Sequence, residues 1–135
     1  LKKYSPIGEL GDFSREYAES LYESLQHTTL ICDRDSVIAV AGASKKDYMD
    51  QPIGNIVEEV MENRRSHVES HATEVEIIKH KPEQVQSYVA APIIAGGDPI
   101  GAVILLSKDE GDKIGDVGVK MAETAAGFLG KQMEQ

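Results

Sequence analysis

One stretch decides the fold of this chain: Ser87-Tyr88-Val89-Ala90-Ala91-Pro92-Ile93-Ile94, the connection Ala95-Gly96-Gly97-Asp98, and Pro99-Ile100-Gly101-Ala102-Val103-Ile104-Leu105. Both flanking runs are rich in β-branched residues, as half-buried or buried strands are. The paired glycines between them can adopt positive φ without steric cost, and Pro99 marks where the second run begins. The stretch therefore predicts a β-hairpin.

The segments before this hairpin predict a helix and a second hairpin. From Gly11 to Gln26 apolar side chains recur every four residues, which is typical of an amphipathic helix. Residues 28–32 and 37–41 are β-branched runs around the polar connection Asp33-Arg34-Asp35-Ser36. We expect two strands there, joined by a short turn.

The remaining segments predict further helices and strands. They are a short helix capped by Ser44 over residues 44–49, a helix over 53–61 after Pro52, a strand over 75–79, a polar loop over 80–84, and a final helix from about Asp116. Strands joined by short turns favour an antiparallel sheet. We therefore predict an α+β fold, with the helices of residues 44–61 on one face of the sheet and the terminal helices packed together on the other.

The final helix carries a seam of small residues with a four-residue repeat: Gly118, Ala122, Ala126 and Gly130. Glycine inside a helix costs about 1 kcal/mol relative to alanine, so such a seam indicates close approach of another element. Two partners fit equally well at this point. One is the chain's own sheet, and the other is a second subunit.

Length and charge restrict the class of protein. The chain has 135 residues, enough for one domain with one core. Its 14 Lys and Arg against 23 Asp and Glu give a net charge of −9, which opposes binding to nucleic acid. Its single cysteine and its lack of a long apolar run favour a reduced, cytoplasmic protein without a membrane partner.

Few residues suggest catalysis. His67 and His71 are four residues apart, a spacing that would place both imidazoles on one face of a helix as metal ligands. The region is polar and lacks a His-Glu-x-x-His pattern, so we interpret it as a solvated helix end. Cys32 lies beside Asp33 in an apolar run, which favours a structural thiol. We expect no catalytic or metal site.

The central hairpin resembles that of GAF domains, the small-molecule sensing modules of many regulators. Shorter segments resemble the C-terminal, GAF-like part of sporulation regulators whose N-terminal domain is of the AbrB DNA-binding type. These segments are Lys2-Lys3-Tyr4-Ser5-Pro6-Ile7, Glu9-Leu10-Gly11-Asp12-Phe13, Leu30-Ile31-Cys32-Asp33-Arg34-Asp35, Gly97-Asp98-Pro99-Ile100-Gly101-Ala102-Val103 and Glu123-Thr124-Ala125-Ala126-Gly127-Phe128-Leu129. The resemblance covers essentially the whole chain.

This resemblance implies a division of the chain and a set of partners. Residues 1–7 would be the remnant of a junction to a missing DNA-binding domain, and residues 8–135 a GAF-like sensing and dimerisation domain. The regulator would act as activator and repressor in the cytoplasm of the forespore. It would form a homodimer or a higher oligomer and contact DNA only through the missing domain. Its effector would be a small molecule that the sequence does not identify.

The resemblance also places two sites. A ligand cavity would lie between the sheet and the helices of residues 44–61. We assign it to the strand face shared by Tyr88, Ala90 and Pro92, which a one-residue change of register would exchange for that of Val89, Ala91 and Ile93. The predicted ligand-binding residues are Ser44, Tyr48, Ile56, Val60, Ile77, Tyr88 and Ala90. The predicted oligomer interface, on the first and last helices, is Phe13, Tyr17, Leu21, Met121, Ala125 and Phe128.

Two alternatives stay open. One is a GAF-like module without a ligand, which holds DNA-binding halves at a fixed spacing. The other is an enzyme, which the lack of a paired nucleophile and base disfavours. Reduction of free methionine sulfoxide, a known use of the GAF fold, depends on several cysteines, and this chain has one.

Overall fold

The computed structural model describes residues 11–134, so the predicted junction over residues 1–7 lies outside it. The helices are α1 (Gly11–Leu25), α2 (Lys45–Tyr48), α3 (Asn55–Asn63) and α4 (Asp116–Met133). The strands are β1 (Thr28–Cys32), β2 (Val37–Ala41), β3 (His67–Glu69), β4 (Thr73–Ile78), β5 (Lys81–Val85), β6 (Ser87–Ala95) and β7 (Asp98–Ser107).

The predicted central hairpin is confirmed. Strands β6 and β7 pair antiparallel along their whole length, from Ser87 opposite Ser107 to Ala95 opposite Asp98. The two turn residues adopt φ values of 58° at Gly96 and 87° at Gly97, both in the region that favours glycine. Arg64 contacts this turn, because its Nε donates a hydrogen bond to the carbonyl oxygen of Gly97 at 3.1 Å.

One five-stranded sheet organises the molecule, in the order β2-β1-β7-β6-β3, and every neighbouring pair in it is antiparallel. Alternate residues of each strand enter different layers. On β1, Ile31 packs into the layer with α1 and α4, whereas Leu30 packs into the layer with α2 and α3. Fully burying a side chain of this size contributes about 2 kcal/mol. The predicted helix–sheet–helix arrangement is confirmed.

Two predictions for the segment between residues 67 and 85 are wrong. The expected polar loop is strand β5, which pairs with β4 in a separate two-stranded sheet. The turn of this hairpin contains His80 at φ 65°. The expected solvated helix end is strand β3, at the edge of the main sheet. Both strands expose most of their side chains, and a polar composition does not exclude a strand that faces water on both sides.

The segment over one face of the sheet is more broken than its apolar pattern predicts. Ser44 stands at the N-cap position of α2, but its hydroxyl makes no capping hydrogen bond. The next helix begins at Asn55, because Pro52 and Ile53 form β-bridges to Ser36 and Ile78. The Ile53–Ile78 bridge ties the start of α3 to the β4–β5 hairpin, and the Pro52–Ser36 bridge ties it to the β1–β2 connection.

The small-residue seam of α4 packs against the chain's own sheet. A Cβ added at Gly130 would lie 2.2 Å from the carbonyl oxygen of Ile94, on β6. Ala122 and Ala126 are buried in the same layer. Of the two partners that the sequence left open, the seam therefore serves helix-on-sheet packing.

Candidate functional site

A cluster of three polar side chains closes the space between α2, β5 and the end of β7. The Tyr48 hydroxyl donates to Glu83 Oε1 at 2.8 Å and accepts a hydrogen bond from Lys108 Nζ at 3.0 Å. Lys108 Nζ also lies 2.8 Å from Glu83 Oε1 and 5.5 Å from the centre of the Tyr48 ring. The cluster lies in a cleft of about 240 Å³.

The protonation states in this cluster follow from its contacts. Burial raises the pKa of the Tyr48 phenol. Burial alone would lower the pKa of Lys108, but hydrogen bonds to Glu83 and Tyr48 outweigh that effect and raise it. At neutral pH the phenol is therefore neutral and the ammonium group charged. Since the three groups pair with one another, the cluster connects α2, β5 and the end of β7.

A second cleft, of about 380 Å³, separates α3 from the β4–β5 hairpin. Tyr88 is 4% exposed, and its ring stacks on His67 with the ring centres 5.6 Å apart. The hydroxyl of Tyr88 has no hydrogen-bond partner among residues 11–134. The cleft is lined by Asn55, Ile56, Glu59, Glu74, Val75, Glu76, Pro82 and Tyr88.

The ionisation of Tyr88 is shifted in the same direction as that of Tyr48. Burial, followed by the nearby carboxylates of Glu69 and Glu59, raises the pKa of Tyr88 to about 12. The phenol therefore stays protonated at neutral pH. It is a neutral hydroxyl that can both donate and accept a hydrogen bond.

A third cleft, of about 360 Å³, adjoins the second. The two clefts share Ile56 and Glu59, but the third also contains the basic side chains of Arg65 and His67. The third cleft therefore has both acidic and basic side chains, whereas the charged side chains of the second are all acidic.

The predicted ligand-binding residues are distributed over these clefts. Tyr48 lines the first, Tyr88 and Ile56 line the second, and Ile56 and Val60 line the third. Ile77 and Ala90 are fully buried in the layer beneath them, and Ser44 is exposed at the start of α2. Tyr88 and Ala90 lie on the sheet face that was predicted. Their role in binding stays a prediction.

The predicted interface residues lie on α1 and α4 and divide into two groups, apart from Met121, which is partly buried and packs against the core. Leu21 and Ala125 are buried against the chain's own sheet and offer no surface to a partner. Phe13, Tyr17 and Phe128 form a cluster, with both other rings within 5.7 Å of the Phe128 ring centre. Phe128 is 41% exposed.

The residues set aside as candidates for chemistry do not come together. His67 is on β3 and His71 lies in the turn beyond it, so they share no helix face. Cys32 is fully buried on β1, and burial together with the Asp33 carboxylate raises the pKa of its thiol. A thiol of this kind is not a nucleophile at neutral pH.

Residues 9–134 match the family model described as "Stage V sporulation protein T C-terminal, transcription factor". The chain belongs to this family. It is also 55% identical over all 135 residues to stage V sporulation protein T of Bacillus subtilis (strain 168), covering 75% of that protein. Within residues 11–134, none of the helices has the length and apolar character that crossing a membrane requires.

Solved structures show that this family member has the GAF fold. The GAF domain of an Acinetobacter phosphoenolpyruvate-protein phosphotransferase superposes with a TM-score of 0.75 at 14% identity, over 92% of this chain and 86% of that one. A type II free methionine-R-sulfoxide reductase of Thermoplasma acidophilum superposes with a TM-score of 0.71 at 13% identity, over 92% of both chains. At such identities the likeness concerns the fold alone.

Sequence reasoning missed the charged side chains around the clefts. The sequence prediction places Glu83 in a loop and singles out none of Glu59, Glu74 and Lys108 as site residues. One signal could have identified Glu83: in a β5 strand, it alternates with the exposed Pro82 and Gln84 and so turns inward. Reading residues 80–84 as a loop hid that alternation.

Proposed function

We propose that this chain is the regulatory part of a sporulation transcription factor, which binds a small-molecule effector between α3 and the β4–β5 hairpin and joins two copies through α1 and α4. One observation carries the effector site: the buried Tyr88 lines an open cleft, and its hydroxyl has no hydrogen-bond partner within residues 11–134. DNA binding would belong to another part of the regulator, acting in the cytoplasm of the developing forespore.

The fold offers a route from this cleft to the terminal helices. Tyr88 is on β6, and the opposite face of β6 carries α4, seated closely at Gly130. An effector that moves the β4–β5 hairpin or Tyr88 would shift β6 and, through it, α4. The effector state would thereby change the spacing of two copies.

A thermal-shift screen of cytoplasmic metabolites tests the effector site. A ligand present at 100 times its dissociation constant adds about 2.7 kcal/mol of stability. Ile56→Trp should abolish the shift, because Ile56 is half-buried and lines the cleft. Val68→Trp is the matched control, since Val68 is 46% exposed and pairs with Val89, which packs into the opposite layer.

A module without a ligand remains the second candidate. It is favoured by the packing beneath the clefts, where Ile77 and Ala90 are fully buried. If no metabolite stabilises the wild-type chain, or if Ile56→Trp and Val68→Trp respond alike to every hit, the effector site is wrong and the structural module stands.

A further inference from the structure

We propose that the cleft between α3 and the β4–β5 hairpin takes a cationic effector, an amine with a short apolar body. This inference rests on the proposed function and adds the chemical class of the effector. It is argued from the charge of the cleft, from its unpartnered hydroxyl and from its size.

The charge of the cleft is one-sided. Its lining includes the carboxylates of Glu59, Glu74 and Glu76, and it includes no lysine or arginine. Within residues 11–134, the carboxylates of Glu59 and Glu74 make no ion pair or hydrogen bond, whereas Glu76 Oε2 accepts a hydrogen bond from the His80 backbone N–H at 3.2 Å. A bound anion would face this charge without compensation, so the cleft rejects anions as well as attracting cations.

The nearby positive groups do not cancel this charge. The N-terminus of α3 contributes about half a positive charge, against three carboxylates, and the Gly54 N–H before it already donates to Ile77 O at 2.7 Å. Arg65 and His67 line the neighbouring cleft, and the His67 ring also stacks on that of Tyr88. Lys81 lines the cleft beside Tyr48, where its Nζ donates to Gln51 Oε1 at 3.3 Å.

Tyr88 supplies a second, independent sign of a ligand. Its side chain is buried and Tyr88 lines the same cleft, yet its hydroxyl meets no partner among the described residues. A phenol oxygen can accept a hydrogen bond from an ammonium group while its O–H donates a hydrogen bond to a carboxylate. The hydroxyl and the carboxylates are therefore complementary to one ammonium group.

The rest of the lining selects the body of the ligand. Ile56, Val75 and Pro82 provide apolar walls. A volume of about 380 Å³ is near the lower end of the range for small-molecule sites. A short aliphatic amine meets both conditions.

Matched probes test the class of ligand. Butylamine, butanol and butyrate share one body and differ in charge, and each can be titrated into the chain at neutral pH and followed by NMR chemical shifts. We expect saturable shifts at Tyr88 and Ile56 with butylamine, weakened by added salt. Butanol should bind more weakly, and butyrate should not bind at this cleft.

Variants locate the charge. The E59Q/E74Q double variant should bind butylamine roughly tenfold more weakly, and Tyr88→Phe should weaken binding while keeping the ring. The E62Q/E110Q double variant removes the same charge at two exposed positions outside the cleft lining and should bind like the wild type. Equal losses in the two double variants would reduce the effect to overall charge and overturn the inference.

The outcomes separate this inference from the proposed function. Binding of butyrate or butanol in preference to butylamine, mapped to Tyr88, would overturn the cationic class and leave the effector site in place. If none of the three probes shifts Tyr88 or Ile56 saturably, the inference is wrong, and the metabolite screen then decides the effector site by itself.

Discussion

Gly130 is the residue at which α4 comes closest to the sheet. An alanine Cβ there would lie 2.2 Å from the Ile94 carbonyl oxygen, so helix and strand must move apart. We expect Gly130→Ala to lower the free energy of unfolding by about 1–3 kcal/mol, measured by urea denaturation. The control is Gly127→Ala on the same helix, where nothing lies within 4 Å of the added carbon and stability should rise by up to about 1 kcal/mol. Equal effects would contradict the close contact.

Tyr88 makes the free energy of unfolding depend on pH in the alkaline range. Its pKa is raised to about 12 in the folded chain, against about 10 when unfolded. The folded state therefore holds a proton that the unfolded state releases, and the stabilisation is complete below about pH 9 and falls as pH rises from 10 towards 12. Tyr48 and Lys108, whose pKa values are also raised, act in the same direction. Urea denaturation at pH 8 and pH 11 should show a smaller loss in Tyr88→Phe than in the wild type, and an unchanged loss would contradict this assignment.

The strands should differ sharply in amide hydrogen exchange. Strands β1 and β7 are each paired on both sides, whereas β3 has three residues and lies at the sheet edge. Short exposed edges open without disturbing the core, so β3 should exchange far faster than β7 at pH 7. Protection of Val68 equal to that of Val103 would show that another surface covers β3.

The elements also explain what the sequence could predict. The β6–β7 hairpin and α4 were predictable because their apolar patterns and turn glycines act locally. Strand β5 was not, since its Lys-Pro-Glu-Gln stretch is polar and its pairing with β4 depends on contacts across the hairpin. The candidate site shared this limit: Tyr88 could be placed on the correct face by alternation, but only the folded hairpin brings Glu74 and Glu59 into one cleft.

At the scale of the whole molecule, we expect a dimer through the aromatic cluster of Phe13, Tyr17 and Phe128, extended by Met121. Phe128→Glu should yield a monomer in light scattering at tens of micromolar, because burying a carboxylate there costs several kcal/mol. Gln84→Glu introduces the same group at an exposed position on β5 and should leave the mass unchanged. A wild-type chain that is already monomeric would rule out this interface.

The burial of Cys32 gives the molecule a built-in reporter of its own opening. The thiol of Cys32 is fully buried in the layer between the sheet and the α2–α3 segment, and an alkylating reagent cannot reach it unless that layer opens. The rate of iodoacetamide labelling, measured by mass spectrometry, should therefore equal the rate of global unfolding. It should also increase with urea concentration as the unfolding rate does. Labelling much faster than unfolding would reveal a local opening of the α2–α3 segment over the sheet. Because the sequence contains one cysteine, each labelled chain records a single opening event.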